Sequence, residues 1–173
     1  MNAPIPLLAN RLGRAHLSSG SALQLAQDVR FAGLVDIENA LVGRDRLLPP
    51  VRQRAVFESL DPYLVGIPVR VASGPWVVKA CIPELASRGW GLTLVSTRPD
   101  AADRALIEAG RSFAASGVTD LVIVSGDHAF ASLASVARLH VIARSECLSR
   151  QLRLAATTIT YLPALPNHTH EIA

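Results

Sequence analysis

Short apolar runs alternate with longer stretches of mixed polarity along most of this chain, beginning at residue 31. The short runs are rich in valine, isoleucine and leucine, and turn-forming residues separate them, which is typical of buried strands. The longer stretches repeat apolar residues at helical spacing, and glycine closes several of them. The predicted strands are residues 31–35, 67–72, 91–96, 120–124, 139–143 and 157–162. The predicted helices are residues 51–60, 75–88, 101–116, 128–138 and 146–156.

Strands that alternate with helices predict successive β-α-β units, and therefore an α/β fold with a mostly parallel central sheet. We predict one domain over residues 31–163, with an N-terminal extension at 1–30 and a loose C-terminal tail at 164–173. The extension could be an added helix, an oligomerisation arm or a disordered leader. The helix at 75–88 contains Pro83, which should kink it.

The composition fits an ordered globular protein, because half of the residues are apolar and only 18% are charged. No stretch approaches the ~20 apolar residues of a membrane span. Residues 1–30 lack the long apolar segment of a signal peptide, so we expect a cytoplasmic protein. In that compartment Cys81 and Cys147 are expected to be reduced thiols.

The basic residues of the chain are nearly all arginine. The net charge is +3, and Lys79 is the one lysine among 17 basic residues. Arginine pairs bidentately with phosphate, which could favour a phosphate-rich partner, although a GC-rich genome also raises arginine content. The net charge is modest and does not by itself imply nucleic acid. Trp76 and Trp90 could stack on bases, but we expect them to pack inside the protein. The arginines that could follow an RNA backbone, or simply form solvated faces, are Arg44, Arg46, Arg144, Arg150 and Arg153.

Carboxylates stand at the points where predicted strands end. Asp36 follows the first strand and Asp127 follows the fourth, while Asp103 opens a helix with Asp100 just before it. If the first and fourth strands are neighbours, Asp36 and Asp127 meet at the sheet edge where open α/β folds bind ligands. Several carboxylates in one place call for a hard cation, so the pattern predicts a Mg²⁺ or Mn²⁺ site. Glu38 or Asp100 could be a further ligand.

Each of these residues also has a simpler explanation. Asp36 could cap a turn or helix, and Asp103 could complement the dipole at the start of its helix, with Asp100 as the cap of that helix. Glu38 could be a solvated loop acid. Asn39 is expected to orient backbone or a carboxylate, and Ser125 to occupy a turn or to donate a hydrogen bond near Asp127.

The same segments resemble the motifs of a known family. Leu-Val-Asp-Ile-Glu-Asn at residues 34–39 resembles the opening motif of NYN domains, the bacterial branch of the PIN-like nucleases. Residues 100–106 resemble the family's middle motif, and 120–130 resemble its Ser-Gly-Asp-x-Asp-Phe signature. Residues 148–156 resemble its closing segment. The motifs keep the family's order across the predicted domain.

The resemblance implies a three-layer α/β/α PIN-like Rossmannoid fold, a Mg²⁺ or Mn²⁺ site and metal-dependent cleavage of RNA. The family's site residues carry over to Asp36, Asn39, Asp103, Ser125 and Asp127, with the three aspartates as catalytic metal ligands.

One departure from the family concerns residue 129, where the signature has a second aspartate and this chain has alanine. One metal ion could still be held by the remaining three aspartates, but two-metal chemistry has lost a ligand. The alternative is therefore a catalytically weak or inactive RNA-binding or regulatory module of the same fold, which could act as a homodimer. A small-molecule phosphohydrolase ranks last, because residues 36–38 imitate its Asp-x-Asp motif only loosely.

Overall fold

The computed structural model describes residues 30–43 and 46–162 of the 173-residue chain. The strands are β1 (Phe31–Asp36), β2 (Val42–Gly43), β3 (Arg46–Leu47), β4 (Val69–Ser73), β5 (Gly91–Leu94), β6 (Asp120–Val124), β7 (Arg138–Ala143) and β8 (Thr158–Tyr161). The helices are α1 (Ile37–Leu41), α2 (Pro50–Leu64), α3 (Pro75–Arg88), α4 (Ala101–Ala115), a 3₁₀ helix (His128–Ser135) and α5 (Arg150–Ala155).

Six of the strands form one parallel sheet in the order β5-β4-β1-β6-β7-β8. The chain runs outward from β1 to β5, returns to the middle at β6, and then runs outward again to β8. The order in which the chain adds strands therefore changes direction between β1 and β6, although the two strands are parallel. Ligands bind open α/β sheets at the carboxyl ends of the strands beside such a switch point. Strands β2 and β3 pair separately as a short antiparallel hairpin.

Apolar side chains project from both faces of the sheet, because successive side chains of a strand point in opposite directions. Val35 belongs to the core that α1, α2 and α3 cover, whereas its neighbour Leu34 belongs to the core beneath α4, the 3₁₀ helix and α5. Helices thus cover the parallel sheet on both sides. The predicted α/β class and three-layer α/β/α architecture are confirmed.

Most predicted elements are present with shifted ends. The strand predicted at 67–72 is Val69–Ser73, the helix predicted at 51–60 extends over Pro50–Leu64, and the helix predicted at 146–156 contains only Arg150–Ala155. Helix α3 has non-helical backbone angles at Cys81, two residues before Pro83, as expected for a proline kink.

The segment after Asp127 is not the predicted α-helix over 128–138. It is a 3₁₀ helix that ends at Ser135, and Arg138 already begins β7. Its buried side chains, Phe130 and Leu133, are three residues apart. This spacing matches the three residues per turn of a 3₁₀ helix, so both side chains face the core.

The predicted extension at 1–30, apart from Arg30, and the predicted tail at 164–173 lie outside the described residues. Within residues 30–43 and 46–162, every helix is too short or too polar to cross a membrane.

Candidate metal centre

The first feature of the site is the pairing of the two central strands. Strands β1 and β6 are neighbours, with Val35 opposite Val124, as the carboxylate pattern required. Asp36 is the last residue of β1, and Ser125 directly follows β6. The Ser125 hydroxyl donates a hydrogen bond to Oδ2 of Asp36 over 3.1 Å. The end of one central strand thus holds the carboxylate of the other.

Asp36 is a buried acid, with 6% of its surface exposed. Its Oδ1 accepts a hydrogen bond from the backbone N–H of Asn39 and caps α1, as the simpler explanation of this residue anticipated. Burial, with smaller contributions from the charges of Asp103 and Glu38, raises its pKa to about 6, although the hydrogen bonds from Asn39 and Ser125 lower the pKa. An ionised Asp36 is therefore unfavourable here unless positive charge approaches it.

The loop after β6 is fixed by hydrogen bonds to its backbone. Oδ1 of Asn39 accepts from the N–H of Gly126 at 3.0 Å, and Oγ of Ser125 accepts from the N–H of Asp127 at 3.1 Å. Gly126 also lies against the backbone of Cys147, where a Cβ atom would collide with the carbonyl group. Asn39 and Ser125 therefore act as the supports expected of them, and Gly126 must remain without a side chain.

Asp127 and Asp103 complete the acidic group. Oδ1 of Asp127 caps the 3₁₀ helix by accepting from the N–H of Ala129 at 2.7 Å, and Nδ1 of His128 lies 3.2 Å from the same oxygen. Asp103 lies in the first turn of α4. Burial, followed by the charges of Asp127 and Asp100, raises the pKa of the Asp103 carboxyl. The two carboxylates are therefore close enough to repel each other.

Two further acids line the site in ways that the sequence did not reveal. Oε1 of Glu38 accepts hydrogen bonds from Oγ of Ser73 at 3.0 Å and from the N–H of Gly74 at 2.9 Å, so it anchors the end of β4. Asp100 occupies the N-cap position of α4, but its side chain makes no capping bond. Its φ of 58° lies in the left-handed region, where a residue other than glycine is strained.

These acids surround one cavity of about 360 Å³. Its acidic lining residues are Asp36, Glu38, Asp100, Asp103 and Asp127, so all five predicted candidates lie together. Within the described part of the chain, however, no three of them are close enough to ligate one metal ion directly. Asp36, Asp127 and Glu38 each use oxygens to bind backbone N–H groups instead.

The donor set nevertheless fits a hard divalent cation. All five side chains offer oxygen. The pKa values of Asp36 and Asp103 are raised first by burial and then by the charges of neighbouring acids. Mg²⁺ usually keeps several waters and needs only one or two protein carboxylates. A hydrated ion is therefore compatible with this donor set, and the direct three-aspartate site that the sequence predicts stays a prediction.

The predicted RNA-binding arginines are not all surface residues. Arg144 is 7% exposed, and its Nη2 donates to the carbonyl oxygens of Asn39 and Val42 at 2.8 Å each. It thus ties the end of β7 to α1, which corrects its prediction as an open phosphate contact. Arg46, Arg150 and Arg153 are exposed, and Arg44 lies outside the described residues.

The cavity also contains residues that the sequence reasoning did not assign to it. Arg98 is the one basic side chain among the described lining residues, and Trp76 presents an indole that is half exposed. Arg98 lies just before Asp100, and Trp76 opens the helix that follows β4. Both positions follow the carboxyl end of a strand, and this was the one sequence signal available for them.

Comparison with known proteins gives the fold but no family. No family model matches the chain, and no curated protein is similar to it in sequence. Its structure is similar to the crystal structure of a protein of unknown function from Vibrio parahaemolyticus, with a TM-score of 0.59 and 15% identity. The match covers 82% of this chain and 97% of that one. At this identity, the comparison supports the shared α/β/α fold alone.

Proposed function

We propose that this protein is a metal-dependent endoribonuclease of the NYN type that hydrolyses RNA phosphodiesters with Mg²⁺ or Mn²⁺. The observation that carries the proposal is that Asp36, Asp103 and Asp127 line one cavity, beside the switch in strand order between β1 and β6. These are the aspartates of the three motifs that resemble the NYN family. They come from separate parts of the chain, so their meeting is not a consequence of sequence proximity. A cytoplasmic location is part of the same proposal.

In this proposal each residue has a defined task. Asp103 and Asp127, which are more accessible than Asp36, bind the hydrated cation and orient its waters. Asp36 supplies negative charge from the floor of the cavity, where Ser125 holds its Oδ2 in place. When bound, the cation would polarise the phosphodiester and lower the pKa of an attacking water. The exposed Arg150, in the first turn of α5, helps to hold the RNA backbone.

The test replaces Asp103 by asparagine, which keeps the shape of the side chain and removes its charge. The matched control is Glu108→Gln, because Glu108 lies on the same helix, is exposed and does not line the cavity. We expect Asp103→Asn to lower RNA cleavage at least 100-fold and to abolish the rise in melting temperature caused by Mn²⁺. The control should retain both. If wild-type protein neither cleaves RNA nor is stabilised by Mn²⁺, the proposal is wrong.

A second candidate function is an RNA-binding or regulatory module that does not cleave. It is favoured by residue 129, where only a backbone N–H faces Asp127 and a second carboxylate is missing. Under this alternative, Mn²⁺ would still raise the melting temperature and RNA would still bind. No cleavage would then appear at any Mn²⁺ concentration.

A further inference from the structure

We propose that Trp76 and Arg98 form the substrate-positioning side of the acidic cavity: an unpaired base of single-stranded RNA stacks on Trp76, while Arg98 pairs with an adjoining phosphate. This inference rests on the proposed function, because it assigns the substrate of the same site. It goes further in naming the two residues that select an unpaired strand over a duplex.

Trp76 is placed beside the acids by the backbone itself. Pro75 begins α3 and Trp76 follows it, directly after Gly74. A Cβ atom built on Gly74 would lie 3.3 Å from Oε1 of Glu38 and 3.9 Å from Cδ1 of Trp76. Glu38 in turn accepts a hydrogen bond from the N–H of Gly74. The indole thus lies on the same side of Gly74 as the Glu38 carboxylate, and a base stacked on it would bring its phosphate towards the acids.

The other tryptophan shows what a packed indole looks like in this protein. Trp90 lies 5.8 Å from the ring of Phe57, and the guanidinium of Arg88 lies over it at 5.8 Å. Trp76 has no aromatic or cationic partner among the described residues, and 53% of its surface is exposed. A large exposed aromatic side chain that lines a cavity of nucleotide-binding size is better explained by a ligand than by the core.

Arg98 supplies the other half of the subsite. It makes no salt bridge within residues 30–43 and 46–162, and it faces five carboxylates across the cavity. One guanidinium cannot by itself overcome that negative charge for an incoming phosphate. RNA binding at this subsite should therefore require the divalent cation as well as Arg98.

The two tryptophans allow a direct test, because each can serve as the only fluorophore. In Trp90→Phe, the intrinsic fluorescence comes from Trp76; in Trp76→Phe, it comes from Trp90. A short single-stranded oligoadenylate is added in Mg²⁺, in EDTA, and as a duplex with oligouridylate. Binding of a labelled oligoadenylate is also measured by anisotropy for Trp76→Ala, Trp76→Phe and Arg98→Gln in the otherwise wild-type chain. Cleavage is followed on gels in parallel.

We expect the oligoadenylate to quench Trp76 but not Trp90, only in Mg²⁺, and less as a duplex. Trp76→Ala should weaken binding by about 5- to 100-fold, Trp76→Phe should restore most of it, and Arg98→Gln should weaken it and lower its salt dependence. Cleavage by the wild type without quenching of Trp76, or unchanged binding by Trp76→Ala, overturns the inference and leaves the proposed function intact. Quenching and binding without cleavage support the subsite and refute the nuclease. Absence of both binding and cleavage refutes both proposals.

Discussion

Replacement of Asp36 by asparagine should make the metal-free protein more stable at neutral pH. The substitution removes a buried negative charge but keeps an oxygen that can accept from the N–H of Asn39. The pKa of Asp36 is about 6 in the fold, whereas the ordinary pKa of an aspartate is 3.8. A difference of about two pKa units corresponds to about 3 kcal/mol of unfavourable free energy for the ionised form. We expect a gain of about 1–3 kcal/mol, since asparagine does not reproduce the bond from Ser125 perfectly.

The pH dependence of this gain has a definite sign. The folded state holds the Asp36 proton more tightly than the unfolded state, so wild-type stability falls as pH rises from about 4 to about 6. Above about pH 6, Asp36 is ionised in the folded state and the full unfavourable free energy of its buried charge applies. Urea unfolding of the two proteins from pH 4.5 to pH 8 should therefore show a stability difference that grows with pH and then levels off. A difference that is independent of pH, or a less stable Asp36→Asn at pH 8, would refute the reasoning.

A second buried aspartate provides the control with the opposite sign. Asp120 begins β6 at the other edge of the sheet and accepts hydrogen bonds from Arg138, His140 and Thr119. Burial raises the pKa of Asp120, but these bonds outweigh it and bring the pKa to about 2. Its charge therefore stabilises the fold above pH 4, and this contribution is lost as pH falls through 2. Asp120→Asn should destabilise the protein at pH 7 by about 2 kcal/mol or more.

Two further predictions concern the supports of the site. Gly126→Ala should destabilise the fold by about 1–3 kcal/mol in urea unfolding, because its Cβ would collide with the Cys147 backbone. Gly43→Ala should change stability far less, because its Cβ would lie at an ordinary contact distance of 3.8 Å from Nη1 of Arg144. Arg144→Gln should lower stability by about 1–3 kcal/mol, because two buried carbonyl groups lose their donor. The exposed Arg150→Gln should leave stability within about 0.5 kcal/mol but weaken RNA binding and lower its salt slope by about one.

The sequence predicted the centre of the fold well because the central strands are strongly marked. Strand β6 is apolar after its first residue and buried throughout, and β1 is an apolar run that ends in Asp36. Two buried parallel strands that both end in polar residues implied the sheet edge at which Asp36 and Asp127 meet. Asp103 could be added because its helix has a clear apolar face with Leu106 in the core.

Other features of the site depend on contacts that no local pattern reveals. Helix α1 contains only five residues, too few for a helical period to be visible. The burial of Arg144 follows from the packing of its loop over Gly126, which is known only once the fold is formed. The prediction for Trp76 was wrong in the opposite sense to that for Arg144. This tryptophan was expected to pack inside the protein and is instead half exposed.

The charge around the cavity decides how RNA could be recognised here. Five carboxylates and the single cation Arg98 among the described lining residues would repel a phosphodiester, so any RNA that enters the cavity must do so with a divalent cation. RNA binding that survives chelation would therefore use another surface, and the exposed Arg150 and Arg153 of α5 offer one. The effect of the missing carboxylate at Ala129 can then be tested by measuring RNA binding and cleavage together. RNA binding that requires metal and is accompanied by cleavage indicates a nuclease with one ligand fewer, whereas RNA binding without cleavage indicates a module that binds RNA only.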